Sequence, residues 1–230
     1  MKQQLIFLFI ISSFFVSQIS AQEKKDSIVV KQQYGLRIGA DISKPVIAFF
    51  DNNFTGIELV ADARVYKNYF AAVELGYENK TTNEEYLNFT SNGSYIKVGF
   101  NYNAYKNWAG MQNEIYVGFR YGLGFFTQTL NSYTPNIKGT FFIPETNEIN
   151  SEYSNLSAQW AALVFGLKVE TFNNVYLGAS VSFKRIMNTK EPENFKNLYI
   201  PGFNRVYLNN MGFGFNYTLS YLIPIVKKTK

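Results

Sequence analysis

Three carboxylates, Glu58, Asp62 and Glu74, lie in two neighbouring stretches of the chain in which every second residue is bulky and apolar. If the two stretches pair as strands, these carboxylates come close together. Paired carboxylates can divide the roles of general acid and general base, because their environments push their pKa values apart. The residue types alone are therefore compatible with acid–base catalysis.

Basic side chains at the same alternate positions favour a structural role for these carboxylates. Arg37, Arg64 and Lys97 would neutralise them inside a filled interior, where an unpaired charge costs several kcal/mol. The chain also contains no histidine and no cysteine, so the commonest general base and the commonest metal ligand are absent. We expect no catalytic residues, no metal and no cofactor, and we expect that the protein is not an enzyme. The alternative is an enzyme whose reactive residues cluster in the loops at one end of the fold.

The stretch EIYVGFRYGLGFFTQT, residues 114–129, shows the pattern that positions these side chains. Its bulky residues occupy every second position from Ile115 to Phe125, and the positions between them are mostly charged, amide or glycine. A period of two indicates a β-strand, because successive side chains point to opposite faces. The same alternation predicts eight strands, at residues 34–42, 57–65, 69–77, 96–102, 115–125, 161–169, 175–183 and 213–223.

The links between these segments alternate in length. Long links at 44–54, 79–93, 130–154 and 188–210 follow the odd-numbered strands, and short links follow the even-numbered ones. Outer-membrane barrels combine short periplasmic turns with longer extracellular loops in this way. The fold class predicted is all-β, an eight-stranded antiparallel up-and-down transmembrane barrel.

The alternate faces indicate which side of this barrel meets lipid. The bulky series carries no charge at its central positions, as contact with hydrocarbon requires. The other series is rich in glycine, which leaves space in a narrow lumen for long charged neighbours. Near-balanced charges would fill that lumen as a salt-bridged, essentially closed network: Arg37, Asp41, Glu58, Asp62, Arg64, Glu74, Lys97, Glu114, Arg120, Lys168, Glu170 and Lys184. Glu78 belongs to the same series.

Aromatic residues make up 18% of the chain, with 22 Phe and 17 Tyr. Outer-membrane barrels carry aromatic girdles at both membrane interfaces. We expect a lower girdle near the short turns from Tyr66, Tyr69, Tyr105, Trp108 and Tyr176, and an upper one from Tyr77, Phe125 and Phe126. A soluble eight-stranded ligand-binding barrel, with the bulky series inside, is the alternative.

The N-terminus has the layout of a secretory signal peptide, with Lys2, an apolar run over residues 5–16 and small residues at Ser20 and Ala21. The run is roughly 12 residues long, whereas a spanning helix needs roughly 20. We predict a cleaved signal peptide (1–21), a periplasmic lead-in (22–33), the outer-membrane barrel (34–226) and a basic tail (227–230). The expected location is the cell outer membrane of a Gram-negative envelope.

The overall plan resembles the small eight-stranded outer-membrane barrels, such as the OmpA transmembrane domain and OmpX. The segment MGFGFNYTLSYLIPI is similar to their C-terminal recognition strand, although the chain ends VKKTK rather than on an aromatic residue. Three stretches, YGLRIGADISKPV (34–46), SYIKVGFNYNAYKNWAGM (94–111) and EPENFKNLYIPGFNRVY (191–207), resemble an uncharacterised family of bacterial outer-membrane barrels, a domain of unknown function. The resemblance covers nearly the whole mature chain. It implies a fold and a location but no catalytic residue or ligand.

The link at 188–210 holds the best candidates for binding. Aromatic and arginine residues are enriched in recognition surfaces, which makes Phe195, Tyr199, Phe203, Arg205 and Tyr207 a candidate loop binding surface. The alternative is that this link folds over the barrel mouth and seals it, or that it merely extends the strands as a hairpin. The apolar group Phe141-Phe142-Ile143 in the preceding long link is either a second contact surface or a small core.

The expected function is structural, or the binding of a partner or ligand through the surface loops, with a narrow solute pore as the alternative. Expected partners are outer-membrane lipid, the barrel-assembly machinery during insertion, and a protein bound by the extracellular loops. The net charge is only +5 and the basic residues are scattered, so we expect no nucleic-acid partner.

Overall fold

Eight long antiparallel strands form one up-and-down sheet that closes on itself into a ring. The computed structural model describes residues 31–107, 112–135, 145–193 and 195–229. Each strand pairs with its neighbours in the chain, and the ring closes where the first strand pairs with the last. The eight predicted strands and their antiparallel order are therefore confirmed. The signal peptide, Trp108 and the group Phe141-Phe142-Ile143 lie outside the described residues.

The strands of the ring are longer than the alternating segments that predicted them. They are β1 (Lys31–Asp41), β2 (Phe54–Tyr66), β3 (Tyr69–Glu84), β4 (Leu87–Asn103), β5 (Glu114–Tyr133), β6 (Asn147–Phe172), β7 (Val175–Thr189) and β10 (Met211–Thr229). Between β7 and β10 lie the short strands β8 (Tyr199–Ile200) and β9 (Asn204–Arg205), which pair with each other, and a 3-10 turn, Leu208–Asn210. β1 and β10 thus extend into the predicted lead-in and the predicted tail.

The predicted long link at 79–93 is wrong. β3 and β4 continue their pairing to Glu84 and Leu87, so a tight turn joins them. The added part of β3 is polar on both faces, as in the hydroxyl contact of 2.9 Å between Thr81 and Thr90, and the added part of β4 has only Leu87 and Phe89 as apolar residues. The sequence there gives too little alternation by which to recognise the strands.

The link after β1 contains the helix α1 (Ser43–Phe50), which the sequence pattern does not predict. Its residues read SKPVIAFF, a window too short for a helical period to be distinguished from a loop. Asp41 holds the start of the helix, because its Oδ1 accepts a hydrogen bond from the Ser43 backbone N at 2.9 Å. Within the described residues, no helix is long and apolar enough to cross a membrane.

The bulky series of each strand faces the outside of the ring. Ile57, Leu59 and Phe125 are 58%, 53% and 63% exposed, and their counterparts on the other strands are likewise exposed. Two residues expected in the outer girdles, Tyr176 and Phe126, are instead buried inside the ring. Both alternate with outward residues, so the strand period places them inside although their side chains are aromatic.

A loop closes the ring at the end that carries the link after β7, and a layer of apolar side chains lies beneath it. We call residues 190–210 the plug loop. Its Ile200 and Phe203 are fully buried against Trp160, whose ring centroid lies 5.9 Å from that of Phe203. Tyr95 and Phe126 belong to the same cluster of buried side chains. The sequence pattern does not predict this aromatic layer. The inward glycines leave space for aromatic side chains as well as for charged ones.

Gly122 shows this use of glycine. A Cβ atom at Gly122 would overlap the Trp160 indole, whereas a Cβ at Gly124, on the same face of β5, would approach the indole no closer than 3.2 Å. The absence of a side chain at Gly122 is therefore what allows Trp160 to lie across the interior.

We predict that Gly122→Ala lowers the free energy of unfolding by about 1–3 kcal/mol, because the added methyl group overlaps the rigid indole of Trp160. The matched variant Gly124→Ala changes that free energy by less than about 1 kcal/mol, since the Trp160 ring would have to move by only a few tenths of an ångström to admit the new methyl group. Urea unfolding of the purified protein, followed by tryptophan fluorescence, measures both. Equal effects of the two substitutions would contradict the described position of Trp160.

Candidate functional site

A first buried ion network joins four strands of the ring. Arg37 on β1 contacts Asp62 on β2 at 2.5 Å and Glu114 on β5 at 2.6 Å. Lys168 on β6 forms an ion pair with the same Asp62. All four side chains are buried. Each charge therefore has a partner of opposite sign, which an apolar-walled interior requires.

A second network lies among β2, β3, β4 and β5. Lys97 forms ion pairs with Glu58 at 3.0 Å and with Glu74 at 2.6 Å. Arg120 donates to Glu74 at 2.8 Å and to the Asn101 side chain, also at 2.8 Å. The three carboxylates Glu58, Asp62 and Glu74 are thus divided between the networks, and each contacts a cation. This is the neutralising arrangement, in which the carboxylates are already occupied by partners.

Four of the predicted lumen charges contact backbone groups instead. Arg64 donates to the Lys67 carbonyl in the turn after β2 at 3.0 Å, and Glu170 accepts from the Asn174 backbone N in the turn after β6 at 3.0 Å. Asp41 holds α1 and also accepts from the Tyr217 backbone N at 3.0 Å. Lys184 donates to two carbonyls of the plug loop. These four side chains fix turns and loops at the ends of the strands.

Glu78 and Lys184 hold the plug loop from opposite sides. The Gly202 backbone N donates to Glu78 Oε2 at 3.1 Å, while Lys184 Nζ donates to the Gly202 carbonyl at 2.9 Å and to the Phe203 carbonyl at 3.3 Å. Gly202 has a φ of +78°, which favours glycine, and a Cβ there would overlap the Tyr95 ring. The tip of the loop is thereby locked between two buried charges.

Glu78 also connects the plug loop to α1 and to the second network. Lys44 of α1 reaches inside and contacts Glu78 Oε1 at 2.6 Å. The Tyr95 hydroxyl lies 3.2 Å from that same oxygen and 2.5 Å from Glu58 Oε2. The Tyr199 hydroxyl donates to Glu78 Oε2 at 2.8 Å. Burial, together with the negative charge of Glu78, raises the pKa of Tyr199 well above its usual range, so this hydroxyl keeps its proton and remains a donor.

The structure does not bring the five candidate binding residues onto one surface. Phe203 is fully buried against Trp160, and the hydroxyl of Tyr199 points to Glu78. Phe195 packs on Phe89, with ring centroids 5.7 Å apart. Arg205 and Tyr207 alone among the five are exposed. The apolar members are drawn inside because the ring leaves a space beside Trp160 that only the loop fills, which is the arrangement of a loop that folds over the mouth.

The cavities between the interior charges are small. One cavity has a volume of about 10 Å³ and is lined by Arg37, Arg64 and Glu114. Another has a volume of about 30 Å³ and is lined by Asp62, Glu74 and Arg120. A single water needs about 10–15 Å³ of this kind of volume. Neither cavity can hold a substrate, and no group of three or more acidic residues in the described part of the chain is arranged to hold a metal ion.

A larger crevice of about 260 Å³ lies between the plug loop and the extension of β3 and β4. Phe89, Leu198 and Val206 give it an apolar lining, and Lys80, Glu84 and Arg205 supply charged groups. Arg205 contacts Glu84 at 3.2 Å in an exposed ion pair. Such exposed pairs contribute little to stability, so these charges can be exchanged for those of a bound molecule at small cost.

Several residues that build the site were missed by sequence reasoning. Tyr95 and Trp160 occupy inward positions of β4 and β6, and their alternation with outward residues was a usable signal. Lys44 gives no signal in the sequence, because the helix in which it lies is too short to show a helical period. Its partner Glu78 was placed inside correctly, but nothing in the local sequence indicates which cation it contacts.

The family comparison matches almost the whole chain. Residues 1–228 match the family described as Domain of unknown function (DUF6048). No curated protein and no solved structure matches the chain.

We predict that Arg37→Met lowers the free energy of unfolding by about 3–5 kcal/mol, because Asp62 and Glu114 lose a buried partner. The matched control is Arg185→Met, the same change at an exposed position of β7, which should cost less than about 0.5 kcal/mol. Urea unfolding of the purified protein measures both. A loss at Arg37 no larger than at Arg185 would show that the network does not stabilise the ring.

Proposed function

The chain belongs to the family of the domain of unknown function DUF6048, and from this premise we propose that it is a non-enzymatic outer-membrane β-barrel with a closed interior. It serves the cell envelope of a Gram-negative bacterium structurally, or by binding a partner or ligand through its surface loops. The observation that carries the proposal is the distribution of side chains, with buried paired charges inside the ring and exposed bulky apolar side chains outside it.

The outer apolar surface suits the hydrocarbon of a bilayer in both chemistry and height. A water-soluble protein rarely exposes contiguous apolar patches of more than a few hundred Å², yet here the outward positions of all eight strands are apolar over their central parts. On β5 the outward series runs from Ile115 to Phe125. At about 3.4 Å per residue and a tilt of about 40°, it rises roughly 25 Å, the height of the apolar band on outer-membrane barrels.

The expected route to the membrane follows from the N-terminal sequence. A cleaved signal peptide over residues 1–21 would take the chain across the inner membrane, and the barrel-assembly machinery would then insert it. In this orientation the tight turns after β2 and β6 face the periplasm, and α1, the β3–β4 extension and the plug loop face the cell exterior.

The non-enzymatic part of the proposal is supported by how the interior charges are used. Glu58, Asp62 and Glu74 are occupied by cations, and the adjacent cavities are the size of one or two waters. The place that best suits a ligand is the crevice beside the plug loop, with its apolar lining and its charged groups. Arg205 is the residue from the candidate binding surface that lies at this crevice.

We expect the detergent-refolded protein to migrate faster on a denaturing gel before boiling than after it, because the closed ring resists detergent until it is heated. The expressed full chain should fractionate with the outer membrane. A protein that is soluble without detergent and shows no heat-dependent shift would overturn the proposal in favour of a soluble barrel.

A matched pair of arginine substitutions locates the lipid contact on one face of β2. Leu59→Arg places a charge in the centre of the apolar band and should cost about 2–4 kcal/mol in a bilayer, whereas Thr55→Arg, near the end of the same face, should cost about 0–1 kcal/mol. Unfolding of the vesicle-inserted protein by urea compares them. Equal tolerance of both changes would mean that water, and not lipid, surrounds Leu59.

A narrow solute pore is the rival function. Two separate parts of the interior would block the passage of a solute. The ion networks fill the middle of the ring, and the plug loop with Trp160 closes one end. In planar bilayers we therefore expect no single-channel steps from the wild-type protein. A variant with the plug loop replaced by a short Gly-Ser link should also remain closed, because the ion networks persist. Discrete steps from the wild-type protein would establish a pore.

A further inference from the structure

Helix α1 combines a polar inner face with an exposed face that carries no polar side chain. Ser43 and Lys44 are buried towards the ring, and Lys44 is anchored there by its contact with Glu78. The exposed positions are Ile42, Pro45, Val46, Phe49 and Phe50. Phe49 and Phe50 are 81% and 82% exposed. This distribution is the reverse of that on a helix that faces water.

The exposed positions form one continuous helical face. Residues 42, 46, 49 and 50 follow the spacing i, i+4, i+7, i+8, which places them on the same side of a helix. Lys44 fixes the rotation of that side, because turning the phenylalanines inward would withdraw its ammonium group from Glu78. The outward orientation of Phe49 and Phe50 is therefore built into the anchoring of the helix.

The same face continues the apolar surface of the ring. The outward series of β1 includes Ile38 and leads into α1 at Ile42. The side chains of Ile38 and Ile42 are both exposed. The apolar surface then stops at Asp51. Asp51 contacts Lys80 at 2.5 Å, and Asn52 and Asn53 beside it are exposed. A sharp change from phenylalanine to charged and amide groups is the pattern expected where hydrocarbon gives way to polar headgroups.

We propose that α1 is a lipid-binding element that lies along the membrane interface at the rim of the barrel, with Phe49 and Phe50 inserted among the acyl chains. This inference rests on the proposed function, since it needs a bilayer around the ring. Lipid is a better occupant than a protein, because protein-binding surfaces surround their apolar centre with a polar rim, whereas this face continues into the apolar outside of the ring.

The absence of cysteine from the sequence allows a direct test with single nitroxide labels. The full chain would carry one cysteine at a time at Phe49, Val46, Asn52 or Leu59, and each labelled variant would be inserted into phosphatidylcholine vesicles. Electron paramagnetic resonance then compares collision with oxygen, which concentrates in hydrocarbon, and with a water-soluble nickel chelate. The heat-dependent gel shift confirms that each variant has formed the ring.

We expect the labels at 49 and 46 to collide with the nickel chelate severalfold less often than the label at 52, and to resemble the label at 59. The labels at 49 and 46 could instead collide with the chelate as often as the label at 52, while the label at 59 is protected. Lipid then does not cover α1, and this inference fails while the proposed membrane location stands. If the label at 59 is also open to the chelate, the proposed membrane location itself fails. The vesicles contain no other kind of protein, and a high ratio of lipid to protein keeps the copies apart, so that protection at 49 reports contact with lipid.

Discussion

The narrow interior of an eight-stranded ring is the constraint on which the rest of this structure depends. Such a ring has room for its own side chains and little else, so every inward residue must either pack or pair. The chain meets this requirement in two ways. Around the middle, carboxylates and cations from neighbouring strands neutralise one another. At one end, aromatic rings fill the space, and the plug loop supplies the part that the strands cannot.

Much of this arrangement could be predicted from alternation alone. From Ile115 to Phe125 the two faces differ so clearly that strand, face and neighbours follow from a period of two. The same reasoning placed Arg37, Glu58 and Lys97 inside, because a charge on the bulky side would have broken the apolar series. It also gave the antiparallel order, since short turns after β2 and β6 leave no room for a crossover.

The remainder depended on information that is not local. The β3–β4 extension has apolar residues only at Leu87 and Phe89, too few to show a period of two, and α1 spans too few residues to show a helical period. Tyr176 and Phe126 were assigned by residue type rather than by position, although their position was the better guide. Phe203 is aromatic and lies in a long link, which suggests a surface. Its burial depends on residues of other strands: Gly122 leaves room for the Trp160 ring on which Phe203 packs, and a Cβ atom at Gly212 would overlap Phe203 itself.

The contacts of Glu78 have a consequence for how the chain reaches its final state. The bond from Gly202 to Glu78 joins residues 124 positions apart, and the pair of Asp62 with Lys168 spans 106 positions. Contacts this distant form late, because a long loop must first be closed. In the bilayer that we propose, a partly assembled ring would therefore present unpaired carboxylates to hydrocarbon, at a cost of several kcal/mol each. Under the proposed membrane location, this cost couples insertion to closure of the ring, and the plug loop can dock only once the strands that carry Glu78 and Trp160 have come together.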